Sequence, residues 1–261
     1  MTMATPHETV QTPATGQQAG PVLRLEHIRK VFGGITAVED VSFDVSAGEV
    51  LALVGDNGAG KSTLVRIIGG VYRQTAGRMA LNGEEITFLD PSQSQAHGIQ
   101  VVYQDLALAE SQMVYMNLFL GREATIGPFR RLDRQRMIRE TESLVRDLDV
   151  RIPSATALVR DLSGGQRQGI AIARATHRAT ELILMDEPTA ALGVAETARV
   201  EKIIEGLKAR GLAILIVSHS LDQVFRLSDR ICVLRRGKQV GMRRTADASK
   251  NEIVSMITGL A

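Results

Sequence analysis

Gly55-Asp56-Asn57-Gly58-Ala59-Gly60-Lys61-Ser62 carries the spacing G-x-x-x-x-G-K-[ST], with Thr63 directly after it. Each residue type has a reason to be there. Glycines let the backbone wrap tightly and turn successive N–H groups inward, toward an anion. Lys61 is a mobile point charge able to reach terminal phosphates. The Ser62 hydroxyl is a ligand for Mg²⁺. An apolar run, VLALVG, precedes the glycines and a helical pattern, LVRIIGG, follows them. That strand–loop–helix context separates a phosphate loop from a chance glycine-rich turn, because the helix start adds its positive end to the same anion site.

Two further clusters extend the chemistry. Asp186 and Glu187 close the apolar run LILMDEP. A carboxylate at a strand end beside a phosphate loop can hold Mg²⁺, and its neighbour can polarise an attacking water as a general base. Upstream, Leu162-Ser163-Gly164-Gly165-Gln166 reads as a helix start with Ser163 as N-cap. Its Gly-Gly backbone leaves N–H groups open to an anion. Taken singly, the carboxylates read equally well as a solvated strand end, and the Ser-Gly-Gly segment as an ordinary capped helix.

These residues need rigid elements to hold them. Val50–Gly55, Leu182–Asp186 and Leu212–Ser218 are continuously apolar and end in Gly, Asp or Ser, which suits central parallel strands covered on both faces. VLRLEHIRKVF, AVEDVSFDV and GRMALNGEEI alternate partially, predicting an antiparallel β-rich N-terminal part with a turn at Asn82-Gly83. Met137, Thr141, Leu144, Val145 and Leu148 recur at helical spacing, as do Val200, Ile203, Ile204 and Leu207. Residues 105–161 show almost no strand signal and are expected to form a helical insertion. Residues 1–20, rich in Thr, Ala, Gln, Gly and Pro, are expected to be a disordered lead without the basic start and apolar run of a signal peptide.

Composition narrows the classes. The 261 residues suffice for one large α/β unit, and 44% are hydrophobic but only 3% aromatic, with no Trp, so the core must be aliphatic. The net charge of +2, with short clusters at Arg130–Arg131 and Arg235–Arg236, gives no concentrated basic face of the kind nucleic acid requires. Cys232 is the one thiol; it can form neither an internal disulfide nor a cysteine metal site, and it reads as a buried strand residue. No segment reaches the roughly 18–20 apolar residues of a membrane span.

The order of motifs resembles the ABC ATPases: GDNGAGKST is similar to the family's phosphate loop (Walker A), LSGGQ to its signature motif and LILMDEP to its Walker B strand. The resemblance runs from about Val22 to about Gly259. It implies an α/β P-loop NTPase fold over residues 21–261, with a RecA-like core, an antiparallel β subdomain and an inserted helical subdomain. It also implies ATP and Mg²⁺ as ligands. Two ATPs would be sandwiched in a head-to-tail homodimer, each phosphate loop facing the signature residues Ser163, Gly164, Gly165 and Gln166 of the other subunit. Three more positions acquire roles only through the resemblance. Phe32 resembles the aromatic that stacks on adenine, Gln104 the loop glutamine that senses Mg²⁺ and water, and His219 the switch histidine at the γ-phosphate.

One position departs from the pattern. Thr189-Ala-Ala-Leu-Gly193 has glycine where family members commonly carry aspartate, which puts coupling between the two sites in doubt. The TAALG form itself, with VVYQDLAL and FLGRE, resembles ATPases of monosaccharide importers, particularly fructose-type ones. That resemblance implies two transmembrane permease subunits, a periplasmic sugar-binding protein and a peripheral position on the cytoplasmic face of a bacterial inner membrane. A permease helix would dock near Gln104, with Met113, Val114, Tyr115 and Met116 as candidate lining. A soluble or exporter-type ABC ATPase is the alternative. The sugar is not legible, since no residue of such a subunit touches it.

Overall fold

The structure, a computed structural model, describes residues 20–190 and 192–260. The expected lead over residues 1–20 therefore lies, apart from Gly20, outside the described residues, and Ala191 of the TAALG run does too.

The chain begins with β1 (Leu23–Phe32) and β2 (Ile35–Val45), paired antiparallel from Leu23 opposite Val45 to Phe32 opposite Ile35. Leu23, Leu25 and Ile28 point inward, as do Val38, Val41, Phe43 and Val45, which accounts for the partial alternation in the sequence. β3 (Val50–Gly55) runs into the phosphate loop, from which α1 (Lys61–Ile68) departs. β4 (Ala76–Leu81) and β5 (Glu84–Ile86) form a hairpin about Asn82 and Gly83, both at positive φ (50° and 85°) as a two-residue turn of this hand demands. A short α2 (Pro91–Ala96) starts at Asp90, whose carboxylate accepts from the N–H groups of Ser92 and Gln93. β6 (Ile99–Val102) follows.

The insertion contains α3 (Val114–Phe119), a two-plus-two-residue hairpin of β7 (Thr125–Ile126) and β8 (Arg131–Leu132), and α4 (Arg134–Asp147). It is thus helical with one small hairpin, whose strands are too short to register as alternation. On α4, Met137, Thr141 and Val145 are buried, the expected helical stripe. Next come α5 (Gly164–Thr176), β9 (Leu182–Asp186), α6 (Val194–Ala209), β10 (Ala213–Val217), α7 (Leu221–Leu227), β11 (Arg230–Arg235), β12 (Lys238–Arg244) and α8 (Lys250–Thr258).

Ten strands form one sheet in the order β5-β4-β1-β2-β12-β11-β3-β10-β9-β6. The half from β11 to β6 is parallel, and the β5–β4–β1–β2 half is antiparallel. The continuous apolar runs are explained by burial on both faces. Ile183, Met185, Ile214 and Ile216 pack with α5 and α6, whereas Leu182, Leu184, Leu215 and Leu51 pack with Leu64, Val65 and Ile68 of α1 and with the antiparallel strands. Burial of each such Leu or Ile contributes about 1.5–3 kcal/mol, which favours the two-sided covering of these strands. Cys232 lies in β11, fully buried, as the sequence suggested. Among the described residues no helix is long and apolar enough to cross a membrane.

Candidate functional site

The parallel strands deliver their chemistry at one edge. Gly55 ends β3, Asp186 ends β9 opposite Val217 of β10, and Val102 of β6 lies opposite Met185, two residues before Gln104. Ligands of open parallel sheets bind at this carboxyl edge, because the loops there are free to diverge.

The phosphate loop is shaped by contacts that exclude side chains. A Cβ on Gly55 (φ 152°) would sit 2.3 Å from the Leu234 carbonyl oxygen, and one on Gly60 (φ 103°) would sit 2.7 Å from that of Ala37. Ala59 is buried, while Asp56, Asn57 and Gly58 are exposed. Gly60 gives α1 no side-chain cap, so the N–H groups of the first turn remain for a ligand. Lys61 is buried, and its Nζ donates to the carbonyls of Gly55 (2.7 Å) and Asp56 (2.9 Å). Burial pushes its pKa down, against the charges of Glu187, Asp186 and Asp56. Ser62 is exposed and Thr63 half-buried at the helix start.

Across the edge, burial and the neighbouring Glu187 raise the Asp186 carboxyl above the ordinary range, with Lys61, Arg66 and His219 pulling it back. Glu187 adopts φ 54°, rare for a residue with a side chain, and is held there by its N–H donating to Val217 O at 2.9 Å. Its Oε1 lies 2.7 Å from His219 Nδ1, so the strand-end carboxylate and the expected switch histidine meet directly. His219 is otherwise exposed. Among the described residues no cluster of three or more His, Cys, Asp or Glu could hold a metal by itself. Ser62 and Asp186 are thus a partial donor set, which fits a Mg²⁺ that takes one or two carboxylates and completes its shell from water and substrate phosphates.

Phe32 is not a core residue of the β half. It is 39% exposed and stands edge-on to Tyr72, ring centres 5.0 Å apart, with Lys30 Nζ 4.8 Å from its centroid. Gln104 is exposed beyond β6. The signature segment starts α5 as expected. Ser163 Oγ accepts from Gln166 N, and Gln166 Oε1 accepts from Ser163 N at 2.9 Å, a reciprocal capping box. Gln166 Nε2 donates to Arg151 O, so this side chain is engaged in the cap. Gly164 is exposed. The phosphate loop lines one groove with Arg235, Arg236 and Lys238; Gly164 lines another with Gln104, Arg167 and Leu192.

The expected lining residues divide. Val114 and Tyr115 are buried against the helices of the insertion, because the short α3 turns that face inward, and Met113 is the exposed one. Sequence reasoning missed three supports. Buried Gln223 joins the strand ends, donating to Thr189 Oγ1 (2.8 Å) and accepting from Ser218 Oγ (3.0 Å). Buried Asn117 and the guanidinium of Arg174 pin the segment after Gln104. Glu196, on the first turn of α6, contacts the signature segment. The helical spacing marked the buried face of α6 but gives no signal for a polar tertiary contact.

The ABC transporter family pattern matches residues 38–190, from β2 through the strand-end carboxylates. The chain belongs to the ABC transporter family. It is an ATPase cassette, ATP hydrolysis being the general activity of that family. The cassette is 41% identical to the xylose/arabinose import ATP-binding protein of Sulfolobus acidocaldarius over 92% of this chain and 95% of that protein. It is 39% identical to the fructose import ATP-binding protein of Rhizobium meliloti over 92% and 94%. It is 38% identical to the ribose import ATP-binding protein of Clostridium tetani over 92% of this chain, where it spans 47%, about half, of the relative. In three dimensions it is similar to an ATP-binding cassette of an ABC transporter crystallised in an ADP conformation (TM-score 0.78, 27% identity, 92% and 95% covered). The cassette binds nucleotide.

Proposed function

We propose that this cassette energises import of a monosaccharide of the fructose, ribose or pentose class. The observation that carries the reading is its likeness, over nearly the whole length of both chains, to the xylose/arabinose and fructose import ATP-binding proteins. Two cassettes would act with two transmembrane permease subunits and a periplasmic sugar-binding protein, on the cytoplasmic face of a bacterial inner membrane. No partner of this reading is nucleic acid.

The family pattern, placed on this geometry, supports the following roles. Gly55, Asp56, Asn57, Gly58, Ala59, Gly60, Lys61, Ser62 and Thr63 hold the polyphosphate, and Phe32 carries the adenine on its exposed ring. Ser62, Asp186 and Gln104 would hold Mg²⁺, which when bound would supply positive charge against the phosphates. Glu187 orients and deprotonates the attacking water, with His219 fixing its carboxylate from 2.7 Å. Ser163, Gly164 and Gly165 serve the nucleotide on the partner subunit. The placement of Gly164 in a separate groove from the phosphate loop supports a site completed in trans. ATP drives transport by binding the closed pair better than the open one, as any ligand-driven shift requires.

Deletion of the gene should abolish binding-protein-dependent uptake of one labelled monosaccharide, and complementation with Lys61→Ala should fail although the protein is expressed. In vitro, Glu187→Gln should retain ATP while turnover falls by at least ~10²-fold, the usual cost of losing a general base. Intact uptake of every monosaccharide, with export of a lipid or drug blocked instead, would remove the import assignment and leave the ATPase standing.

A further inference from the structure

The signature segment already carries a carboxylate. Glu196 reaches from the first turn of α6 to the start of α5, where its Oε1 lies 3.2 Å from Ser163 Oγ and 3.4 Å from Gly165 N. Its Oε2 accepts from Gly193 N at 3.3 Å. The approach is close enough that a Cβ on Gly165 would sit 2.8–2.9 Å from the Glu196 side chain, so the glycine makes room for it. These hydrogen bonds, Gly193 N–H foremost and Ser163 next, hold the Glu196 carboxyl below the usual range, so it is ionised at neutral pH. A hydroxyl and a backbone N–H at a helix start are what a γ-phosphate would use, and here both face an anion of the same chain.

We propose that Glu196 is a positioning residue for the ATP sandwich: it keeps the signature donors aligned before the dimer closes, and the γ-phosphate on the partner subunit must displace it to bind them. The inference rests on the reading that Ser163 and Gly165 act in trans. It also bears on residue 193. Glycine there has no side chain to send across the dimer, and its backbone N–H is tied by Glu196 to the signature segment of its own subunit. One carboxylate therefore joins the segment after Glu187 to the signature helix, so displacement at one is felt at the other.

Glu196→Gln keeps the size of the side chain and its accepting oxygen but removes the charge that competes with phosphate. Relief of one exposed like-charge contact corresponds to about a two- to fivefold change per site. The test titrates ATP against dimer formation, by light scattering, for Glu187→Gln and for Glu187→Gln/Glu196→Gln, with nucleotide affinity of the monomer and the melting temperature measured alongside. The expected result is half-maximal dimerisation at about two- to fivefold lower ATP in the double variant, with monomer affinity unchanged and melting equal to or slightly below that of Glu187→Gln, since the ionised Glu196 is the form its hydrogen bonds favour. Dimerisation of both at the same ATP, or of the double variant at higher ATP, overturns the displacement and leaves the sandwich intact. Failure of both to dimerise while both bind ATP overturns the trans reading and this inference with it.

Discussion

Asp186, proposed above as a Mg²⁺ ligand, is a charge held at the expense of its own fold. Burial is the largest influence on it, and the adjacent Glu187 adds repulsion; together they exceed the attraction of Lys61 and raise its carboxyl above the ordinary range. The consequence for stability has a definite sign. An acid whose folded pKa is raised ionises more readily in the unfolded chain, so its charge costs stability at neutral pH and the cost vanishes as pH falls through the folded value. Without nucleotide or Mg²⁺, Asp186→Asn should therefore melt above the parent at neutral pH, and the margin should shrink toward zero with acidification. Adding MgATP should reverse the order, because a ligand stabilises only the protein that binds it. A variant that melts below the parent at neutral pH would show that the pull of Lys61 outweighs desolvation. At this scale the sequence was most informative where chemistry is local in the chain. The phosphate loop and Asp186-Glu187 were legible because one strand and its loop carry everything. The 2.7 Å contact between Glu187 and His219 was not, because the two residues are 32 positions apart and meet only when β9 and β10 pair.

Elements are held in place by polar anchors as much as by their apolar faces. The segment from Leu106 to Met113, which leads from Gln104 into the insertion, forms no helix or strand, yet two side chains anchor its backbone. Buried Asn117 accepts from Ala109 N (2.7 Å) and donates to the carbonyls of Ala109 and Met113 (both 3.1 Å). Arg174 of α5 donates to Leu106 O (2.7 Å) and Ala107 O (2.8 Å). Asn117→Leu fills similar volume but leaves the half-buried Ala109 N–H unpaired, since the Ala109 carbonyl still accepts from Gln112 N, at a cost of about 1–3 kcal/mol. Denaturant unfolding should register that loss, and amide hydrogen exchange should quicken across residues 106–113. A loss under about 0.5 kcal/mol with unchanged exchange would mean that Arg174 suffices. The elements themselves were legible in proportion to their pattern. β3, β9 and β10 announced two-sided burial by unbroken apolar runs, and α4 and α6 by helical spacing. The β7–β8 hairpin was not legible, since two-residue strands carry no period. Nor was the inward turn of Val114 and Tyr115, which depends on α5 packing across them.

At the scale of the whole molecule, the proposed nucleotide site is divided between two surfaces that a second copy would bring together. Gly58 is exposed at the tip of the phosphate loop and Ser163 is exposed at the start of α5, each lining or adjoining a different groove. A single added cysteine pair can report whether they meet between subunits. The native background is suited to this, because the chain's one cysteine, Cys232, is fully buried and its thiol is pushed up to about 12 by that burial. Almost none of it is thiolate at neutral pH, and reactivity follows the thiolate. One batch of protein would carry Gly58→Cys and a second, differently tagged, Ser163→Cys, both in the Glu187→Gln background so that the ATP-bound pair persists. Mixing them with ATP and a short oxidant pulse should give a disulfide-linked species of twice the chain mass carrying both tags, and ADP should give little of it. A disulfide needs its Cα atoms within about 7 Å, so the link reports direct apposition rather than general association. A doubly substituted chain that forms the disulfide within itself, with no tagged heterodimer under ATP, would place phosphate loop and signature segment in one subunit's site. In that event the two grooves belong to a single cassette that closes on itself, and hydrolysis would show no dependence on protein concentration.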